Sequence, residues 1–403
     1  MHLPSSTPQD PAAIAAIAPA KILVVDDEPD VELLIRQMFR KRIQRAELQF
    51  VFAGSGVQAL AALGRDHDID IMLTDINMPE MDGLTLLARI PDADVNPMLK
   101  SIVVSAYGDL DNIRTAMNRG AFDFVTKPID AGDLEITLNK TITELEMIRQ
   151  AKRAREQLLA LQQELGVARR IQQAILPPPL EGIPSIDLHG GMIAAREVGG
   201  DFYDYFRIGH DQLGIVIADV SGKGVPAAIF MAMSRTLLRS TALSGGTPAE
   251  VMARVNDTLA VEGESGMFVT TFYGILDLST GTLRYCNGGH NPPFILRADG
   301  NVELLSSTPD LVVGVMRGFP YNEFSLQLAP GDGLCLYTDG VTEAMNVSED
   351  MYEEPALEQL LRAHAGAASR DIVDAVVADV RAFAAGHPQS DDLTSLVFRY
   401  LGA

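Results

Sequence analysis

Four short apolar runs, each typical of a buried strand, end in aspartate, and this pattern limits the possible folds more than any other feature. The runs are "KILVVDD" from residue 21, "DIMLTD" from 70, "GIVIAD" from 214 and "GLCLYTD" from 333. A buried carboxylate is costly unless a cation or hydrogen bonds satisfy it. We therefore expect these aspartates to gather at strand ends in two polar sites with different tasks.

Length and charge limit the architecture and the partners. A chain of 403 residues is too long for one typical core, so two domains and a connector are expected. The formal net charge of -22 argues against nucleic acid as a partner, because phosphate binding needs a basic face. No run reaches the roughly 18 apolar residues of a membrane span, so we expect no membrane segment.

The cysteine content and the N-terminus indicate a cytoplasmic protein. Cys286 and Cys335 are the only cysteines, which suits a reducing compartment and excludes a disulfide framework or a thiolate zinc site. Residues 1–20 lack the basic start of a signal peptide and are broken by Pro11 and Pro19. We expect this segment to be a disordered tail.

Residues 21–135 alternate short β-branched runs with helical patterns. This alternation predicts an α/β doubly wound domain with a parallel sheet and helices on both faces. Ligands of such sheets bind outside the carboxyl ends of the strands. The polar residues that fall there are Asp26, Asp27, Asp75, Ser105 and Lys127.

Residues 136–176 are predicted to form a linker helix that begins near Asp133 and ends before "PPP" at 177–179. Apolar residues at spacings of three and four form two seams: Leu138, Ile142 and Leu145, then Leu158, Leu161, Leu165 and Ala168. Pairing with a second copy as a coiled coil would bury such seams, which predicts a homodimer. The alternative is a single helix that lies across one of the chain's own domains.

Residues 177–403 change pattern again. Hairpin-like strands such as "FVTTFYGILDL" and "GTLRYCNGG" are interrupted by helical stretches such as "AAIFMAMSRTLLRSTAL". We expect an α+β domain, a β-sandwich of antiparallel sheets flanked by helices.

The acids of the first domain suit phosphoryl acceptance. Three carboxylates at one sheet edge would repel one another unless they shared a hard cation, and oxygen ligands suit Mg²⁺. With the cation present, an aspartate can attack a phosphoryl donor and become an acyl phosphate. Lys127 can neutralise the added charge, and Ser105 can donate a hydrogen bond to a phosphoryl oxygen.

The motifs "VVDDEPD", "LTDINMPEMDG", "VVSAYG" and "FDFVTKP" resemble the receiver domains of two-component response regulators. The resemblance implies that Asp75 is phosphorylated, with Lys127 and Ser105 on the phosphoryl group. It also implies that Asp26, Asp27 and Asp75 bind Mg²⁺ together with the backbone carbonyl of Asn77. Phe124 is either the aromatic switch of such domains or a core residue.

The acids of the second domain indicate hydrolysis. Acids flanked by glycine, with no His or Cys at ligand spacing, predict a site for two hard cations, Mg²⁺ or Mn²⁺. Such a pair activates a water and stabilises charge as an oxygen leaves phosphorus. The acids are Asp201, Asp219, Asp339, Asp391 and Asp392.

The motifs "EVGGDFYDYF", "IADVSGKG", "LYTDGVTEA" and "QSDDLTSLVF" are similar to those of metal-dependent serine/threonine phosphatases of the PPM family, in the bacterial SpoIIE/RsbU-type branch. The resemblance implies Asp201, Asp219, Asp339 and Asp391 as metal ligands, with the carbonyl of Val220; Asp392 is an alternative to Asp391. We expect Asp204 to support the site or lie in a turn, Glu343 to begin a helix, and Lys223 to be solvated.

Together these features predict a response regulator whose output is a phosphatase. A sensor histidine kinase would phosphorylate Asp75 and so control the phosphatase domain. The resemblance implies a phosphorylated anti-sigma-factor antagonist as the protein substrate, in a partner-switching pathway. The alternative is a non-catalytic, receiver-gated adaptor that binds a sigma factor or an antagonist.

Overall fold

The structure, a computed structural model, describes residues 19–106, 108–262, 266–306 and 308–403. The chain divides into two compact units, one that ends at Leu158 and one that begins at Leu159. Residues 1–18 of the expected N-terminal tail lie outside the described residues. Among the helices that the structure describes, none is long and apolar enough to cross a bilayer.

The first unit is built on a parallel sheet. Its strands are β1 (Ala20–Val25), β2 (Leu48–Ala53), β3 (Ile71–Asp75), β4 (Lys100–Ala106) and β5 (Asp123–Lys127). Its helices are α1 (Pro29–Met38), α2 (Arg40–Gln44), α3 (Gly56–Arg65), α4 (Gly83–Arg89) and α5 (Leu110–Asn118), with a 3₁₀ turn at Ile90–Asp92. The strand order β2-β1-β3-β4-β5, with every pair parallel, confirms the predicted doubly wound fold.

Strand β1 shows why this sheet is covered on both faces. Ile22 and Val24 point into one apolar cluster, and Leu23 and Val25 point into the other. Successive side chains of a strand alternate between faces, so a run that is apolar at every position needs a helix layer on each side.

Helix α6 (Ala131–Ile175) begins in the first unit and uses its first apolar seam there. Leu138 and Leu145 are fully buried in the cluster that also contains Ile22, and Ile142 packs against it. This seam is therefore covered by the first unit itself and is not available to a second copy. Leu158 and Leu161 of the second seam remain more than half exposed.

The second unit contains two antiparallel sheets in the described residues. Their strands are β6 (Ile186–Ile193), β7 (Phe202–Ile208), β8 (Gln212–Val220), β9 (Val269–Asp277), β10 (Thr282–Gly288), β11 (Phe294–Leu296), β12 (Val302–Leu304), β13 (Phe324–Gln327), β14 (Gly333–Tyr337) and β15 (Leu393–Tyr400). The orders are β13-β10-β9-β8-β7 and β12-β11-β14-β15-β6. The helices are α7 (Val225–Leu243), α8 (Pro248–Glu262), α9 (Asp339–Thr342), α10 (Glu353–Ala363) and α11 (Ser369–Ala384).

The two sheets pack face to face. Ile215 and Phe272 of one sheet share an apolar core with Leu336 and Phe398 of the other. Helices α7 and α8 cover the outer face of the first sheet, and α10 and α11 cover that of the second. The unit is thus a helix–sheet–sheet–helix sandwich, which confirms the predicted fold of the C-terminal domain.

Two candidate acidic sites

The first site lies at the carboxyl edge of the parallel sheet. Asp26 and Asp27 follow β1 directly, and Asp75 is the last residue of β3. Each offers a carboxylate oxygen, and these three oxygens lie within 4.8 Å of one another. Neighbouring parallel strands end at the same edge, so the fold itself brings these three acids together.

Lys127, the last residue of β5, partly neutralises this cluster. Its Nζ lies 2.8 Å from an oxygen of Asp75 and 3.2 Å from one of Asp26. Burial lowers the pKa of Lys127, but the hydrogen bonds to Asp75 and Asp26 outweigh it, so the pKa is raised and the ammonium stays charged. Burial raises the pKa of Asp26, against the effect of a backbone hydrogen bond and of Lys127.

Three further positions bear on what this edge could bind. The Ser105 hydroxyl on β4 is buried and has no hydrogen-bond partner among the described residues. Asn77 is exposed in the loop directly after β3. At Gly83 an added Cβ would stand 2.1 Å from the carbonyl oxygen of Asp75, so the loop can close on the strand end only with glycine.

These features fit a divalent cation and a phosphoryl group. Three oxygens at this spacing suit one hard cation, and the free Ser105 hydroxyl is a buried donor with nothing to donate to. Phe124, on β5, is 41% exposed as a residue, so it is not part of the core.

The second site lies where strands of both sheets of the sandwich end. Asp201 precedes β7, Asp219 lies one residue before the end of β8, and Asp339 begins α9 just after β14. Asp391 and Asp392 precede β15, which pairs with β14. The fold therefore gathers five acids from distant parts of the sequence.

Of the five acids, Asp201 and Asp392 are buried and the others are half-buried, and charges within the group raise the pKa of three of them. Burial, followed by the charge of Asp219, raises the pKa of Asp201. Burial and the charge of Asp339 raise the pKa of Asp219 to about 7. Burial and the charges of Asp391 and Glu343 raise the pKa of Asp339 to about 6. Repulsion of this kind is relieved by cations, which makes the donor set fit hard divalent ions.

The spacing differs from that of the first site. Among the described residues, no three acids of this second group place oxygens within 4.8 Å of one another. A pair of ions about 3.5–4 Å apart spreads its ligands more widely than one ion does. The acids of the second site are therefore spread more widely than those of the first.

The adjacent acids Asp391 and Asp392 differ in their hydrogen bonds. The Asp392 carboxylate accepts the backbone N–H groups of Ala195, Gly200 and Asp201 at 2.8, 2.7 and 3.2 Å. Both of its oxygens thus accept hydrogen bonds from the segment 195–201. Asp391 is more exposed and receives Lys223 at 2.7 Å, which leaves it the more available ligand of the two.

Backbone packing places the other predicted ligand, the carbonyl of Val220. It lies 3.0 Å from the position that a Cβ on Gly200 would occupy, so it faces the loop that leads to Asp201. At Gly340 an added Cβ would stand 2.0 Å from the carbonyl oxygen of Asp392. Glycine at both positions lets the chain segments that carry the acids approach one another.

Two sequence expectations near this site are wrong, the turn alternative for Asp204 and the helix start at Glu343, and a third is incomplete. Lys223 is exposed, as expected, but its Nζ also donates to the Ser390 carbonyl at 2.7 Å and contacts Asp391. Glu343 does not begin a helix but follows the last residue of α9. Asp204 does not lie in a turn: it is buried within β7 and pairs with Arg235 and Arg239 of α7, at 3.1 and 2.9 Å.

Sequence reasoning also missed two polar residues that support the acids. Thr338 donates a 2.7 Å hydrogen bond from its hydroxyl to Asp201. Gln172, near the end of α6, bonds to both backbone groups of Gly199. The sequence signal was weak, because a threonine beside an aspartate and a glutamine in a polar helix are both ordinary.

Comparisons with known proteins agree with this geometry. Residues 22–139 match the response regulator receiver domain, and residues 209–401 match the family Stage II sporulation protein E (SpoIIE). Sporulation initiation phosphotransferase F of Bacillus subtilis is 32% identical over 120 residues, which are 30% of this chain and 91% of that protein. The chain belongs to the response-regulator receiver family. It joins this receiver domain to a SpoIIE-type domain.

The second half has its own relatives. Phosphoserine phosphatase RsbU of Bacillus subtilis is 28% identical, over 53% of this chain and 63% of that protein. The solved SiaA-PP2C domain of Pseudomonas aeruginosa shares the fold, with a TM-score of 0.54 and 24% identity over 60% of this chain and 98% of that one. The chain spans less than two thirds of the length of the curated relatives that match its second half.

Proposed function

We propose that this protein is a response regulator in which phosphorylation of Asp75 controls a metal-dependent protein serine/threonine phosphatase. The observation that carries the proposal is the convergence of buried Asp201 with half-buried Asp219 and Asp339, whose pKa values are raised by partial or full burial and by mutual repulsion. Such a set is poorly suited to a purely structural role and well suited to divalent ions. The name of the relative RsbU, a phosphoserine phosphatase, supports the same activity.

In the phosphatase site, two Mg²⁺ or Mn²⁺ ions would supply a water of lowered pKa and neutralise the charge of the phosphate. The carboxylates of Asp201, Asp219, Asp339 and Asp391 and the carbonyl of Val220 would hold them. The chemistry that these ions would supply is addition of this water to phosphorus with cleavage of the bond from phosphorus to the serine or threonine oxygen, which would take up a proton as the water gives one up. Lys223 lies beside Asp391, where its ammonium can orient an incoming phosphate.

In the receiver site, an Asp75 oxygen would attack the phosphorus of a phosphohistidine on a sensor histidine kinase, and the bond from phosphorus to nitrogen would break. Asp26, Asp27, Asp75 and the carbonyl of Asn77 would hold Mg²⁺. Lys127 would then pair with a phosphoryl oxygen, and the unpartnered Ser105 hydroxyl would donate to another.

The remaining parts of the proposal concern organisation and partners. The receiver would span residues 21–135, the linker helix 136–176 and the phosphatase 177–403, in a cytoplasmic protein. The protein substrate would be a phosphorylated anti-sigma-factor antagonist of a partner-switching pathway. The exposed second seam of α6, which includes Leu158 and Leu161, supports a homodimer through a coiled coil of that part of the helix.

Metal-dependent hydrolysis tests the enzymatic proposal. The full chain is expected to hydrolyse p-nitrophenyl phosphate and a phosphoserine protein with Mn²⁺ and to stop when the metal is chelated. Asp339→Asn is expected to be inactive, whereas Asp374→Asn, on an exposed part of α11, keeps the rate. A folded wild-type protein that stays inert at every Mn²⁺ concentration would instead support the adaptor that only binds a sigma factor or antagonist.

A further inference from the structure

Gln172 is an unusual residue in the last two turns of helix α6. Within residues 151–175, all of which the structure describes, it is the only buried side chain, with 7% of its surface exposed. A buried amide is costly unless both its donor and its acceptor are satisfied. The burial of this one polar side chain in an otherwise exposed stretch therefore indicates a specific contact.

That contact is a pair of hydrogen bonds to one residue. The Gln172 Nε2 donates to the Gly199 carbonyl at 2.6 Å, and the Gly199 N–H donates to the Gln172 Oε1 at 3.0 Å. The amide thus satisfies both backbone groups of Gly199, as a neighbouring strand would. A side chain that lacks either the donor or the acceptor leaves one buried backbone group unpaired.

Gly199 is held from its other side by Asp392. An added Cβ at Gly199 would stand 2.2 Å from an oxygen of Asp392, so no other residue fits between the two. The same carboxylate accepts the N–H groups of Gly200 and Asp201. The short loop 199–201 is therefore clamped between the end of α6 and the segment before β15, and it ends at Asp201.

We propose that Gln172 is a positioning residue that fixes Asp201 for metal binding through its paired hydrogen bonds to Gly199. The inference rests on the proposed phosphatase function, in which Asp201 is a ligand. Groups that orient a ligand without touching the metal typically change metal affinity 10- to 100-fold when removed. The end of the linker helix would thereby set the affinity of the site through one side chain.

Gln172→Met tests this role, because methionine keeps the shape of the side chain and removes both hydrogen bonds. We expect Mn²⁺ binding by the full chain, measured by isothermal titration, to weaken about 10- to 100-fold. The Mn²⁺ concentration for half-maximal hydrolysis should rise by the same factor, with kcat at saturating metal nearly unchanged. Gln173→Met is the matched control, because Gln173 is exposed, and it should behave as wild type.

A second measurement does not depend on metal or activity. In the metal-free protein, amide hydrogen exchange in residues 195–201 is expected to be about tenfold faster in Gln172→Met than in wild type or Gln173→Met. Gln172→Glu keeps the acceptor for the Gly199 N–H and should fall between wild type and Gln172→Met in both measurements. It also provides a second variant if Gln172→Met folds poorly.

The outcomes separate this inference from the proposed function. Wild-type Mn²⁺ affinity and wild-type exchange in folded Gln172→Met would overturn the role of Gln172 and leave the phosphatase proposal intact. If wild-type protein bound no Mn²⁺, the phosphatase proposal and the role of Gln172 in metal binding would both fail. Faster exchange in Gln172→Met would then show only that the amide holds the loop.

Discussion

The two acidic sites use the same side chain under opposite electrostatic conditions. In the receiver unit, Lys127 lies within hydrogen-bond distance of both Asp26 and Asp75. In the SpoIIE-type unit, no lysine or arginine of the described residues forms an ion pair with Asp201, Asp219 or Asp339. The receiver acids therefore start partly neutralised, whereas Asp201, Asp219 and Asp339 repel one another without a paired cation.

This difference explains how one residue type can serve two tasks. An aspartate that is to accept a phosphoryl group needs a resident cation that can move from the carboxylate to the new phosphoryl charge. Among the described residues, Asp201, Asp219 and Asp339 instead keep unpaired charge that divalent ions can neutralise, and Lys223 pairs only with the more exposed Asp391.

The largest expected effect is on phosphoryl acceptance. Asp75→Asn should abolish incorporation of phosphate from acetyl phosphate, because an amide oxygen is not a useful nucleophile toward phosphorus. Phosphate-affinity gels or intact-protein mass measure the incorporation. Asp111→Asn, on the exposed side of α5, is the matched control and should label normally. Stoichiometric labelling of Asp75→Asn would remove the contrast, since some other residue would be the acceptor.

The next prediction is that one substitution at the second site lowers activity but raises the stability of the metal-free protein. Asp219→Asn should lower kcat by more than about 100-fold, beyond the usual cost of losing a supporting group. The same change should stabilise the metal-free protein by about 1 kcal/mol, or roughly 2–4 °C in Tm, because it removes one of several repelling charges. Calorimetry with and without Mn²⁺ measures both states, with Asp374→Asn as control. A lower Tm without metal would contradict the repulsion described here.

Substitution of Asp391 is expected to change metal binding, whereas substitution of Asp392 is expected to change folding stability. Asp392→Asn puts an NH₂ group where backbone N–H donors point, so it should cost about 1–3 kcal/mol of folding stability. Asp391→Asn should weaken Mn²⁺ binding and leave stability nearly unchanged, since Asp391 has a more exposed carboxylate. Urea unfolding and metal titration of both variants measure the two effects. The reverse pattern would identify Asp392 as the ligand.

The last effect, which appears only below neutral pH, concerns a buried histidine outside the acidic sites. Burial lowers the pKa of His290 to about 4, and its Nδ1 lies 2.9 Å from the Thr270 hydroxyl. The unfolded chain takes up this proton near pH 6.5, but the folded chain does not. The stability that neutral His290 contributes is therefore complete above about pH 6.5 and is lost as pH falls toward 4, by up to about 3 kcal/mol.

Unfolding by urea at pH 7.5 and pH 5 measures this loss, and His290→Asn provides the comparison. The variant should lose less stability than wild type between these two pH values. Because both proteins carry the same acids, the difference between them isolates the histidine. An equal loss in both would mean that His290 binds its proton in the folded state.

Local patterns were enough to predict the receiver. The run "ILVV" at 22–25 is apolar at every position, which requires a sheet covered on both faces, and the acids at the ends of strands β1 and β3 then meet at one edge. The sandwich of the second unit was also predicted as a class. Strand β7 was not predicted, because "DFYDYF" contains Asp204, and a buried charge is unfavourable in a strand unless it is paired. The structure pairs Asp204 with Arg235 and Arg239, which are far from it in the sequence.

The linker helix shows the limit of periodicity. The spacing of Leu138, Ile142 and Leu145 predicts an apolar helix face, but it does not predict which part of the molecule packs against that face. The structure covers it with the receiver's own core, which leaves the second seam as the basis for a proposed dimer. Similarly, nothing in the sequence distinguished Gln172 from Gln173, although one is buried and the other is exposed.

The sequence by itself determined which chemistry is present, because residue type, strand periodicity and the apolar runs that precede each aspartate are local properties. The tertiary structure alone decided which carboxylates are neutralised by lysine, which are occupied by backbone N–H groups and which are left to repel one another. Those outcomes depend on distances between residues up to about two hundred positions apart, such as Asp392 and the loop at Gly200. Only the packed chain fixes such distances.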